Sequence, residues 1–126
     1  MLLTDLPAGV LNELGVLATG ESPNIADSTT VTDKYSALYE MLITEGLVSW
    51  EVGEDIPEFV EGPVLAMLAH LCARPFGVPA ARRAELELAG ALSLPANKGG
   101  PSLAETQLRR QLAKGFVYYP MATDYF

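Results

Sequence analysis

Val64-Leu-Ala-Met-Leu-Ala-His-Leu-Cys72 is the stretch whose reading decides the fold. Wound as a helix, Val64, Leu65, Met67, Leu68, Leu71 and Cys72 leave it apolar nearly all round. A helix of that kind belongs at the centre of a bundle, with partners on every side. It contains His70 and is too short to span a bilayer. Its start falls near Pro57 or Pro63, it runs to about Ala73, and Pro75 and Gly77 end it. The flanking sequence must then supply amphipathic helices to cover it.

It supplies four. Leu6, Val10, Leu11 and Leu14 keep helical spacing between a start at Thr4-Asp5-Leu6-Pro7, where Thr4 can cap, and a stop at Gly15. Residues 18–24 read as a loop. A second helix spans about Ile25 to Glu45, with Val31, Tyr35, Leu38, Met41 and Leu42 on one face and Gly46 as its stop. Pro79 opens a fourth helix that carries Leu86, Leu88 and Leu92. A loop with two prolines and two glycines follows, from Leu94 to Pro101. Ser102 and Glu105 then form a capping-box pair before a fifth helix, with Leu103, Leu108 and Leu112 on its core face. Arg109, Arg110 and Lys114 complement that helix's dipole, and Gly115 fits its C′ position.

The expected fold is therefore all-α: a small bundle of four to five helices over residues 1–115, then an extended aromatic C-terminal arm over residues 116–126. Residues Val48 to Val52 form a short link, strand-like or irregular. The core should include Leu38, Leu42, Val64, Leu68, Leu71, Leu88, Leu108 and Leu112.

Bulk composition narrows the function. The chain has 126 residues, which suits one domain. It is 49% hydrophobic but only 19% charged, against about 25% charged in an average domain. Apolar side chains are in surplus, so some should meet another molecule. The net charge of −8 repels phosphate at long range, which argues against wrapping nucleic acid. One cysteine, Cys72, excludes an intramolecular disulfide and suits a reducing compartment. No basic region precedes an apolar run at the N-terminus, so no secretory signal is expected, and the protein should be soluble.

The residues that carry chemistry are few. His70 and Cys72 lie two apart on one helix, so they point about 200° apart and cannot grip one ion or each other. Glu51, Glu54, Asp55, Glu58 and Glu61 form the most acidic stretch, but they lack the alternation and glycine of a calcium loop. They read as an acidic surface. Residues 97–102 place a lysine and glycines before a helix start without the spacing of a phosphate loop. Basic residues gather at Arg74, Arg82 and Arg83 and at Arg109, Arg110 and Lys114, as solvated faces or as a docking surface for an acidic partner or DNA phosphates. No catalytic residue, cofactor or metal is expected. Five of the last eleven residues are aromatic: Phe116, Tyr118, Tyr119, Tyr125 and Phe126. Either they fold back on the bundle or they insert into a neighbour, where each ring fills a pocket.

The layout resembles the head-to-tail connectors of tailed bacteriophages, also called adaptor or head-completion proteins, with the tail accessory factors among them. The matching pieces run over most of the chain. They are Leu11-Asn-Glu-Leu-Gly-Val-Leu-Ala-Thr-Gly-Glu-Ser-Pro23, Leu38-Tyr-Glu-Met-Leu42, the Gly46/Trp50 turn, Leu71-Cys-Ala-Arg-Pro75, Leu108-Arg-Arg110 and the terminal arm. The resemblance implies a structural virion protein, made in the host cytoplasm, that forms a ring of identical subunits in the neck, twelve in number. Such a ring joins the portal protein to a tail-side neck or tail protein and lets DNA pass without specific binding or membrane contact. It assigns portal gripping to Phe116, Tyr118, Tyr119, Tyr125 and Phe126. An acidic wall that limits DNA sticking, or a tail-side surface, would fall on Glu51, Glu54, Asp55, Glu58 and Glu61. Two other classes remain open: a small helical regulator binding a protein or DNA, and an enzyme whose site assembles between subunits.

Overall fold

The apolar helix does take the centre. In the computed structural model α3 spans Glu61–Cys72 and touches every other α-helix: α1 (Leu6–Leu14), α2 (Ile25–Thr44), α4 (Ala80–Gly90) and α5 (Leu103–Tyr118). The structure describes residues 1–18, 20–92 and 94–118, with side chains as far as Ala113. The fold is all-α, and no strand occurs among the described residues. Val64, Met67, Leu68, Ala69 and Cys72 are buried on different sides of α3, as an element packed all round requires. Burying one such large side chain contributes about 1.5–3 kcal/mol.

α1 and α2 lie against α3 through the faces their spacing marks. Leu6, Val10, Leu11 and Leu14 of α1 are all buried, as are Val31, Tyr35, Leu38 and Leu42 of α2. Both helices end where a glycine can adopt a left-handed backbone: Gly15 at φ 76° and Gly46 at φ 72°. There Val16 N donates to Leu11 O at 3.1 Å, and Leu47 N to Leu42 O at 2.8 Å, which closes the last turn of each. At the start of α2, the Asn24 side chain accepts from Asp27 N at 2.8 Å. α1 begins differently from expectation. A 3₁₀ turn over Leu3–Asp5 precedes it, Asp5 holds the cap position, and neither Thr4 nor Asp5 makes a side-chain capping bond.

Three apolar positions, Met41, Leu88 and Leu103, fall outside the core, and helical geometry explains each. Met41 is exposed and Tyr39 is buried instead, because Met41 lies about 90° from the centre of the face made by Val31, Tyr35, Leu38 and Leu42. Leu88, expected in the core, is 52% exposed. α4 meets α3 through Leu86 and Gly90, four residues apart, and Leu88 points to the opposite side. Leu103 is exposed, and Ala104, four before Leu108, takes its place on the buried face of α5. Leu71 and Leu112 pack against the core but are only partly buried. The segment Val48 to Val52 is irregular, with Trp50 turned inward.

α5 starts at the cap its sequence marks. Ser102 Oγ accepts from Glu105 N at 3.1 Å, with both residues buried. The Glu105 carboxylate holds Arg109 at 3.1 Å, and Arg109 reaches Glu45 at 3.4 Å, tying α5 to the end of α2. Ser102→Ala removes the cap from a buried site and is expected to lower unfolding free energy by about 1 kcal/mol, read from the urea midpoint at constant m. A variant as stable as the parent would show that the cap contributes nothing. At its far end α5 runs through Gly115 to Tyr118, so Phe116 and Tyr118 are helical where an extended arm was expected to begin. A glycine inside a helix costs only about 1 kcal/mol, so Gly115 does not have to end it. Tyr119, Tyr125 and Phe126 lie outside the described residues.

Candidate functional site

The acidic stretch forms the irregular connection between α2 and α3. It hangs from three buried side chains, Leu47, Trp50 and Ile56. Trp50 enters between α2 residues: its indole Nε1 donates to Tyr35 Oη at 2.9 Å, and Tyr39 Oη donates to the Trp50 carbonyl. The Trp50 and Tyr39 rings meet edge to face with centroids 6.3 Å apart. Burial raises the Tyr35 phenol above its usual pKa, against the opposing influence of the Trp50 hydrogen bond.

Glu51, Glu54, Asp55 and Glu58 stand exposed on this loop. Two of them accept backbone bonds that shape it: Glu54 Oε1 from Glu51 N at 2.9 Å, and Asp55 Oδ1 from Leu3 N at 3.1 Å. Glu61 has a partner of its own. It is half-buried at the head of α3 and pairs with the Met1 ammonium at 3.1 Å. That ammonium also donates to the Ile56 carbonyl at 2.6 Å, while Ile56 N donates back to Met1 O at 2.9 Å. The N-terminal residues therefore clasp the acidic loop. No group of three or more His, Cys, Asp or Glu placed to hold a metal ion occurs among the described residues.

His70 and Cys72 part company, as their spacing requires. Cys72 is fully buried, and desolvation pushes its thiol up to about 11, so the thiolate that reactive chemistry needs is scarce. His70 faces a cleft of about 430 Å³ instead. The cleft lies between α2, the last turn of α3, the α3–α4 connection and α4, and its polar lining is Lys34, His70, Arg74, Arg83 and Glu87. Burial lowers the His70 pKa, partly offset by the Glu87 carboxylate.

Sequence reading singled out Arg74 and Arg83 as part of a basic group but gave no sign that Lys34 joins them. Arg82, their neighbour, points away and pairs with Glu85 at 3.3 Å. In the second basic group, Arg109 is absorbed by Glu45 and Glu105. Among the described residues no helix is long and apolar enough to cross a membrane. No family model, curated protein or solved structure matches the chain.

Proposed function

We propose that the chain is a non-enzymatic structural subunit of a phage neck. Identical copies close into a ring that joins the portal protein to a tail-side protein and leaves a passage for DNA. The observation that carries the reading is the apolar surplus. Ile25 is 85% exposed and Leu103 64%, and Ile43, Phe59 and Leu88 also stand in water; the sequence adds five aromatic residues among its last eleven. Burying such side chains against neighbours supplies the energy of an assembly. A contact between unlike surfaces of successive copies closes into a ring when its rotation allows. The resemblance of the helix layout to head-to-tail connectors supplies the kind of assembly. The exposed carboxylates of Glu51, Glu54, Asp55 and Glu58 suit a wall past which DNA slides.

The test is a pull-down with the portal protein of the same genome, using the intact chain and one ending after Tyr118, which leaves α5 whole. Retention of the intact chain alone is the expected result, with Tyr119, Tyr125 and Phe126 as anchors. If neither chain is retained, the neck reading fails. Equal retention of both would leave the ring in place and remove the portal role of those residues.

A further inference from the structure

We infer that the cleft lined by Lys34, His70, Arg74 and Arg83 is a binding site for the phosphate group of a small phosphorylated molecule. It is independent of the neck reading and uses neither the acidic loop nor the aromatic segment. The chain carries twice as many acidic as basic side chains, 16 against 8, yet three of the eight cations converge on this one cleft. They come from three different parts of the chain: Lys34 from α2, Arg74 from the α3–α4 connection and Arg83 from α4.

Their carboxylates are missing. Among the described residues, Arg82, Lys98 and Arg109 each pair with a glutamate, whereas no such pair involves Lys34, Arg74 or Arg83. Glu87 lies four residues after Arg83 on α4, the spacing at which a helical ion pair forms readily. Its carboxylate turns instead to Lys98 Nζ, at 3.2 and 3.4 Å. Arg83 Nε is buried with no hydrogen-bond partner among the described residues. Burying part of a guanidinium without a partner is costly, and an anion in the cleft offsets that cost through its attraction for the whole charged group.

The geometry favours phosphate over a single carboxylate. Two guanidinium forks and an ammonium match a tetrahedral group with three acceptor oxygens. The cleft also takes in Ala80 at the head of α4, whose first turn has no acidic residue and no side-chain cap. Those backbone N–H groups add to the positive field. A volume of about 430 Å³ suits a small molecule, and the net charge of −8 disfavours a polyanion.

His70 makes the test direct, because it is the chain's only histidine and so gives a single Hε1 resonance. The groups that face it from the packed elements are Lys34, Arg74, Arg83 and Glu87. Inorganic phosphate is titrated into the intact chain at constant ionic strength, with chloride and acetate in parallel, and the His70 ring proton is followed by NMR. A saturable phosphate shift is expected, with the His70 titration moved upward by about one pH unit because the anion stabilises imidazolium. Arg83→Gln and Lys34→Gln should each weaken phosphate binding by about tenfold, and Arg110→Gln, outside the cleft, should not. Equal shifts in phosphate and chloride, or insensitivity to both cleft substitutions, would overturn the site. Acetate binding as tightly as phosphate would overturn the ligand class. An oligonucleotide without terminal phosphates that saturates the same signal at lower concentration would overturn the small-molecule assignment.

Discussion

Gly90→Ala, the addition of one methyl group, is expected to destabilise the fold by roughly 3 kcal/mol, near the upper end of overpacking costs. The thermal midpoint should fall by on the order of 10 °C. Helix propensity alone gives the opposite sign, since alanine is better than glycine in a helix by about 1 kcal/mol. Gly90 has ordinary helical backbone at the end of α4, so conformational freedom is not what it provides. It provides closeness. A Cβ at position 90 would lie 2.3 Å from Ala66 O and 3.1 Å from Met67 Cα, all backbone atoms of α3. Backbone cannot swing aside as a side-chain tip can, so α4 must lift from α3 or the residue must strain. Gly62→Ala is the matched control. Gly62 sits in the first turn of α3, exposed, with nothing within 4 Å of an added Cβ. There the same substitution should stabilise by about 0.5 kcal/mol. Calorimetry on both variants decides the matter, and a Gly90→Ala protein as stable as the parent would mean that α3 and α4 do not meet backbone to backbone.

Trp50→Ala carries the other large effect, a loss of about 3–5 kcal/mol. Trp50 is 6% exposed and is the side chain by which an irregular loop grips α2. Its removal empties a ring-sized space beside Tyr39 and takes the donor from the Tyr35 oxygen. Trp50→Phe separates the two contributions. It keeps most of the ring volume and loses the N–H, so it should cost about 1–3 kcal/mol, the penalty of an unsatisfied buried polar group. The damage should be local before it is global. With Leu47 and Ile56 as the remaining buried anchors, proteolysis of Trp50→Ala should begin in the acidic loop at temperatures where circular dichroism still reports full helix content. First cleavage elsewhere, or a loss below about 1 kcal/mol, would show that Trp50 is not the loop's anchor.

Both effects lie on the link between sequence and packing, and they differ in how far the sequence announces them. A lone tryptophan in a short apolar run between helices is visible on inspection. Gly90 is not, because a glycine near a helix end reads as a stop signal until the neighbouring helix is known to lie against it. The same difference runs through the candidate sites. Glu51, Glu54, Asp55, Glu58 and Glu61 are close in sequence, so their acidic stretch was legible, although the pairing of Glu61 with the Met1 ammonium was not. The basic cleft was half legible, since Arg74 and Arg83 are near neighbours while Lys34 reaches them only because α2 and α4 both flank α3.

The sequence by itself determined the all-helical class, the central place of α3, the glycine stops of α1 and α2 and the Ser102 cap of α5. The stops and the cap depend on interactions within about one helical turn, and the place of α3 follows from an apolar pattern that leaves it no face for water. Tertiary structure decided which of several apolar residues on a helix went inside. Leu86 rather than Leu88, Tyr39 rather than Met41 and Ala104 rather than Leu103 are buried because the partner helix covers only part of each apolar face. It also decided which charges stayed unpaired. Coulomb attraction and hydrogen bonding act over a few ångströms of space, and no separation along the chain reports that distance for Lys34, Arg74 and Arg83.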